Sequence, residues 1–195
     1  MLTVRPLGEA DRLLTLLSEE EGLTRLAAPG ARRPRSSLAA AVPLSHLRLQ
    51  IGGRSGLRRV RQLQVLRAYG ALGERLDTLA AAQALAELAA QLAPAEAPAA
   101  GILGALLLQL GRLDAVVKER SDSLEALAIA VQGCVHLLAL GGYALPLQHC
   151  ARSGVPLDPP VGDFSWRCSL LPAEGLAIGA IPGARVLLNA SELAL

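Results

Sequence analysis

Two changes along the chain predict an α+β protein, a small strand-rich barrel or sandwich followed by an α-helical domain. The hydrophobic pattern has a period of two in the first third and becomes helical from Tyr69 onward. The charge changes sign at nearly the same place. Residues 1–70 hold twelve arginines against five acids, a balance of +7, whereas residues 71–195 hold seven cations against twelve acids, a balance of −5. The net charge of +2 conceals this asymmetry, which points to a polyanionic partner for the basic part. With 52% hydrophobic and 18% charged residues, the chain has ample apolar surface for a core, the opposite of what disorder requires. Aromatics make up 2%, so that core must be built of Leu, Ala, Val and Ile.

The elements follow in order. Arg12–Ser18 is a β-compatible run that ends in the acidic turn Glu19-Glu20-Glu21-Gly22, and Leu23–Ala28 resumes it as a hairpin. Pro29–Ser37 is a loop by its Pro and Gly, and Arg32, Arg33 and Arg35 make it the most cationic point in the chain. In His46–Ile51, Leu47, Leu49 and Ile51 alternate with His46, Arg48 and Gln50, the pattern of a half-buried strand. A turn at Gly52–Gly56 leads into a further strand, Val60–Leu66, with Leu63 and Val65 on one face and Gln62 and Gln64 on the other. From Tyr69, Leu72, Leu76, Leu79, Leu85, Leu88 and Leu92 take helical spacing in an Ala-rich segment. Pro94 and Pro98 bracket a connection to a second helix, Ala100–Val117, and Asp122-Ser123 caps a third, Leu124–Leu140, which Gly141-Gly142 ends. Beyond Gly154, Pro, Gly and short apolar runs predict loops with small strands.

The stretch Ala126–Leu147 is uncharged and long enough to cross a bilayer. It contains Gln132, His136, Gly141-Gly142 and Pro146 and lacks flanking basic clusters, which predicts a buried core helix and no membrane association. No signal peptide is expected from the Met1–Glu9 sequence, and three cysteines suit a reducing compartment.

Enzyme signatures are missing. There is no Walker-type phosphate loop, Gly-x-Gly-x-x-Gly after a strand, His-Glu-x-x-His or Gly-x-Ser-x-Gly, so no catalytic residue is named. Gly52–Gly56 lacks the lysine and following helix of an NTP site and reads as a hairpin turn. His46 sits on a polar strand face, His136 reads as a packed core residue, and Cys134 as a small core residue. The arginines are the strongest signal. Three groups recur in the strand-rich part, Arg32/Arg33/Arg35, Arg48/Arg54 and Arg58/Arg59/Arg61, and a barrel that gathers them on one face would follow a phosphate backbone. With no aromatic residue before Tyr69, binding would be phosphate-dominated and weakly sequence-selective.

Arg5–Gly22, reading Arg-Pro-Leu-Gly-Glu-Ala-Asp-Arg-Leu-Leu-Thr-Leu-Leu-Ser-Glu-Glu-Glu-Gly, followed by Ala28–Leu38, resembles the opening of the bacterial recombination mediator family RecO. Leu137–Cys150, reading Leu-Leu-Ala-Leu-Gly-Gly-Tyr-Ala-Leu-Pro-Leu-Gln-His-Cys, is similar to that family's leucine-rich helix, Gly-Tyr, Pro-x-Leu, Cys segment. The style of the sequence resembles that of cyanobacterial members. The resemblance implies an N-terminal OB-fold over residues 1–67, a helical domain over 68–149, an irregular, degenerate zinc-finger-like region over 150–188 and the start of a C-terminal helical segment over 189–195. It implies a non-enzymatic role in recombinational repair: binding single- and double-stranded DNA, annealing strands and helping to load the RecA recombinase. RecR and the C-terminal tail of single-strand-binding protein would be the partners, in the cytoplasm at the nucleoid. The family's basic loop falls on Arg32, Arg33 and Arg35.

Cys150 and Cys168 match one ligand of each zinc pair, while Ser153 and Leu171 stand where their partners would be. His149 is the one other donor nearby. A structural zinc site closes with four ligands, so no zinc is expected and packing would replace it. Both ends look short against the family pattern, the first strand beginning partway through and further helices missing after Leu195, which would leave part of the helical core uncovered. Two rival readings rest on the same residues: a helical interaction scaffold with an incidental basic surface, and an RNA-binding OB protein.

Overall fold

A computed structural model describes residues 1–53, 56–144 and 146–194. Their contacts divide them into two compact units, Met1–Tyr143 and Ala144–Leu195. The first unit opens with five strands: β1 (Thr3–Leu7), β2 (Asp11–Ser18), β3 (Gly22–Ala28), β4 (Ser45–Gly52) and β5 (Arg59–Ala68). They lie in the order β1-β2-β3-β5-β4, antiparallel except where β3 meets β5. The edge strand β4 returns to the chain start, where the Leu44 N–H donates to the Met1 carbonyl (3.1 Å) and the Met1 amine to the Ser45 carbonyl (2.6 Å). Two irregularities in the β4–β5 pairing, at His46/Leu47 and Gln50/Ile51, add the local twist that coils the pair toward closure. A five-stranded, partly open barrel of this order is an OB-fold.

Period-two alternation explains why β2 is buried from both sides. Leu14 and Leu16 point inward with Leu26, Ala28 and Val60, and a 3-10 turn at Ser37–Ala40 adds Leu38 to that core. Leu17, the next residue along, points the other way into the helical core. Three helices form that second core: α1 (Leu76–Leu92), α2 (Ile102–Glu119) and α3 (Ser123–Leu140). Leu85, Leu113 and Leu137 are wholly buried in it. Small residues let the helices approach closely, for a Cβ on Gly133 of α3 would come within 2.7 Å of the Leu85 side chain on α1. Asp122 caps α3 by accepting from the Leu124 N–H (3.4 Å).

The sequence predicts α3 as a buried core helix, and the structure buries it on one stripe only. Ala126, Ile129, Gly133 and Leu137 face α1 and α2, while Leu124, Leu127, Val131 and Val135 on the opposite side are 69%, 59%, 55% and 49% exposed. A three-helix layer covers each member from one side, and composition that is apolar all round cannot reveal which side is left open. His136 is correspondingly exposed rather than packed in the core.

Barrel and bundle are joined by specific bonds. Gly22, at φ +59°, lies against the connection between α1 and α2. Beside it the Leu23 N–H donates to the Pro94 carbonyl (2.9 Å) and the Ala99 N–H to the Glu19 carbonyl (3.0 Å). Asp114 of α2, whose side chain is 5% exposed, accepts from Arg67 of β5 (2.8 Å) and from Lys118 (2.7 Å). Burial pushes this carboxyl up, but the hydrogen bonds from Lys118 and Arg67 outweigh it and hold the carboxyl below its ordinary value. Arg67 also stacks over Tyr69, 4.8 Å from the ring centre.

The second unit, read from sequence as loops with small strands, has a three-stranded antiparallel sheet. Its strands β6 (Arg167–Leu171), β7 (Gly175–Ile178) and β8 (Val186–Asn189) lie in the order β7-β6-β8, followed by the short helix α4 (Ala190–Ala194). Ser169 pins the sheet from inside, its hydroxyl donating to the Gly179 carbonyl (2.8 Å) and accepting from the Ile181 N–H (2.9 Å).

Candidate nucleic-acid interface

The basic loop after β3 is built on the start of β2. The Gly30 N–H donates to the Asp11 carboxylate (2.8 Å), the Arg32 N–H to the Ala10 carbonyl (2.9 Å) and the Arg33 N–H to the Gly30 carbonyl (2.9 Å). Gly30 takes φ +65°, and Arg35 takes φ 63°, a left-handed geometry uncommon for a non-glycine residue. Arg32, Arg33 and Arg35 are all exposed, and among the described residues none of them forms an ion pair. Their charge is therefore open to solvent or to a phosphate.

A second basic region lies on the β4–β5 pair. His46 stands opposite Arg67, Arg48 opposite Gln64 and Gln50 opposite Gln62, a polar face two strands wide. Arg48, Arg59 and Arg61 are exposed. Arg61 occupies the bulge and crosses Gly52 so closely that a Cβ there would meet its Nε at 2.2 Å. Arg54 lies outside the described residues.

In the third predicted group, Arg58 is engaged in an ion pair. Arg58 grips Glu21 with both ends of its guanidinium, one contact at 2.7 Å, while also reaching the Thr24 hydroxyl (3.2 Å). The hydrogen bond from Arg58 holds the Glu21 carboxyl below its ordinary value. Arg58 thus ties β5 to the β2–β3 turn. The acid it needs lies 37 residues away in sequence, so a local reading of an arginine cluster had no means of finding it.

Arg5 and Arg12 add to the charge of the basic part but fall outside its three arginine groups. Arg5 on β1 and Arg12 on β2 line a dimple together with Arg32. Arg12 is oriented by the carbonyls of Ala39 (3.2 Å) and Ala41 (3.4 Å). The available signal was that Arg12 opens the first clear strand run.

Among the described residues no group of three or more His, Cys, Asp or Glu side chains could hold a metal ion. Cys150 is buried with Leu171 and Ala177, so the position of one absent ligand is filled by an apolar side chain. Ser153 stands at the other. Hydrogen bonds from the Ser153 side chain and the Ile178 N–H (3.4 Å to Sγ) lower the Cys150 thiol to about 7. Burial raises the Cys168 thiol, and the charge of Cys150 adds to that. Two sulfurs with a leucine and a serine do not fit zinc, which takes four closed ligands in structural sites.

An arginine-studded barrel of OB topology, joined to a three-helix bundle and followed by a small β-sheet unit, defines an OB-fold protein with an appended helical domain. Family models agree on both parts. That for "Recombination protein O N terminal" matches residues 1–69 and that for "Recombination protein O C terminal" matches residues 73–195. The chain belongs to the RecO family. It is 62% identical to the DNA repair protein RecO of Prochlorococcus marinus (strain MIT 9303) over all of this chain and 73% of that protein. Identity to the DNA repair protein RecO of Synechococcus sp. (strain WH7803) is 63%, over all of this chain and 72% of the relative. With the Cyanothece sp. (strain PCC 7425 / ATCC 29141) protein of the same name it is 37%, over 98% of this chain and 64% of the relative.

Proposed function

We propose that this chain is a DNA-binding recombination mediator, without enzymatic activity of its own. It binds single- and double-stranded DNA by arginine–phosphate contacts, promotes annealing of complementary strands and helps to load RecA, acting with RecR and the C-terminal tail of single-strand-binding protein in the cytoplasm at the nucleoid. The observation that carries this reading is the set of exposed arginines on the OB barrel that form no ion pair among the described residues, Arg32, Arg33 and Arg35 on the loop and Arg48, Arg59 and Arg61 on β4–β5. No Phe, Trp or Tyr lies among residues 1–68, so bases find no ring to stack on and the phosphates supply the affinity. The bonds between barrel and bundle keep the basic faces in a fixed relation to the helices.

The test is a competition binding experiment with single-stranded DNA, duplex DNA and RNA at two salt concentrations. The expected result is binding to both DNA forms that falls steeply with salt, by about 0.7 in log–log slope per phosphate contacted on a single strand and about 0.9 on a duplex. Preference for RNA would replace DNA as the ligand. A full chain that binds no nucleic acid would leave the helical scaffold as the function, a reading favoured by the exposed apolar side of α3.

The same function includes no metal cofactor. Purified protein is expected to hold no stoichiometric zinc, and its thermal unfolding is expected to be unchanged by a strong chelator, because Leu171 packs where a ligand would be needed. Loss of β-sheet signal on chelation, or one zinc per chain by elemental analysis, would sink that expectation.

A further inference from the structure

The barrel is open between two strand edges. On one side, β1 pairs with β2 only from Asp11 to Thr15, and a bond from the Leu2 N–H to the Thr15 carbonyl (3.0 Å) ends that ladder. The rest of β2, Leu16–Ser18, pairs with β3 alone among the described residues. On the other side, β4 is the last strand of the sheet, with β5 as its one neighbour among the described residues. Its outer edge bonds to the chain start at Leu44 and Ser45, and His46–Ile51 have no strand partner there. Leu16, Leu17 and Ser18 line the cavity between these edges, and so does the run His46–Leu49. Side chains alternate across a strand, so consecutive residues on one wall mean that the strand edge itself faces the cavity.

The cavity has a volume of about 700 Å³. Leu16, Leu26 and Leu49 border it from the barrel, and Leu103, Leu106 and Leu107 from α2. Along the line of β2, Leu2 closes the end at Thr15, and Glu19, Glu20 and Glu21 stand at the other end. Glu21 is held by Arg58, whereas Glu19 and Glu20 are exposed and form no ion pair among the described residues. Arg48 is the one guanidinium on the lining. Carboxylates at the mouth repel a phosphate backbone and attract a cation. Unpaired strand edges are templates for a further strand, and the apolar walls suit side chains on both of its faces.

We propose that this opening receives one extended strand of a partner protein, of about five or six residues, apolar on both faces and carrying Lys or Arg at its N-terminal end. It goes beyond the DNA-binding reading and does not depend on it. The direction follows from the sheet. Only β3 and β5 pair in parallel, so β2 and β4 run the same way, and one strand between them can be antiparallel to both. That sense gives the more stable ladder. It also sets the N-terminal end of the guest beside Glu19 and Glu20, past the end of β2.

The test uses the full chain and a fluorescent, N-acetylated peptide, Arg-Lys-Leu-Val-Ala-Val-Ala-Leu. Binding is followed by anisotropy and by amide hydrogen exchange. The peptide is expected to bind and to slow exchange at both Leu16–Ser18 and His46–Ile51. Prolines in place of its two valines remove ladder donors and should cost roughly tenfold or more in affinity. The reversed sequence should bind less tightly, because its cations lie at the wrong end. Glu19→Gln/Glu20→Gln should lose roughly 2- to 10-fold for the basic peptide, with an unchanged melting temperature because both side chains are exposed and unpaired among the described residues.

Equal affinity for the proline peptide, or binding without protection of either edge, would mean a merely apolar pocket and overturn the proposal. Protection of both edges by self-association, with no peptide present, would give the opening to a second copy of the chain and overturn it as well. Loss of DNA binding would leave it untouched, since none of these measurements involves nucleic acid.

Discussion

Replacement of Arg32, Arg33 and Arg35 together by alanine is expected to lower DNA affinity roughly 10- to 100-fold near physiological salt and to flatten its salt dependence. The loop is held mainly by main-chain bonds from Gly30, Arg32 and Arg33 and by the Asp11 carboxylate, and the one arginine side-chain bond lost with the triple variant is the exposed one from Arg32 to the Gly8 carbonyl (3.0 Å). The triple variant should therefore keep its shape and its melting temperature within a few degrees, and the loss should be the same for every sequence tested. Base-reading contacts would give a different pattern, with losses that depend on the oligonucleotide. Affinity and salt slope both unchanged would show that the loop does not touch DNA. The companion variant Arg58→Ala should affect stability more than binding, because Arg58 is already bound to Glu21 and Thr24.

Gly22→Ala is expected to destabilise the first unit by about 3–5 kcal/mol, a large part of the stability of an ordinary domain. Two costs combine. A φ of +59° is disfavoured for any residue with a Cβ by about 1–2 kcal/mol. The added methyl would also sit 2.2 Å from the Pro94 carbonyl oxygen and 2.4 Å from that of Ala97, both main-chain atoms that cannot step aside alone. Gly8→Ala separates the two costs, since Gly8 has a similar φ of +61° but nothing within 4 Å of its missing Cβ. Denaturant melts should show Gly8→Ala losing about 1–2 kcal/mol and Gly22→Ala clearly more. Equal losses would mean that the connection between α1 and α2 yields to the methyl group.

Much of the fold was legible because its signals are local. The period of two in His46–Ile51 and the helical spacing from Leu72 to Leu92 describe β4 and α1 without any knowledge of their neighbours, and the Pro-Gly loop with its arginines stands where the sequence places it. What was not legible depends on partners distant in sequence. The strand β1, with a proline at its fourth position, has no alternation of its own and is defined by pairing with β2. The grip of Glu21 on Arg58 spans 37 residues and engages one arginine of the predicted set in an ion pair. Arg5 and Arg12 enter the candidate site only once the strands are paired. For α3, composition could say that the helix is apolar, but the number of helices laid against it decides how much of it is covered. At Leu171, where the resemblance places a ligand, the sequence names the residue but not what packs against it. The core formed by Leu171, Cys150 and Ala177 shows what fills the space.

The bonds from Glu19, Leu23 and Arg67 to Ala99, Pro94 and Asp114 also govern how the molecule can be cut for study. The family's two halves meet between residues 69 and 73, yet Leu2, Leu17 and Tyr69 belong to the same core as the helices. A fragment ending at Tyr69 would present that apolar surface to water and lose the main-chain partners of its β2–β3 turn. The boundary between the two matched family regions, near residue 70, therefore lies some seventy residues before the division of the folded chain into compact units at Tyr143 and Ala144.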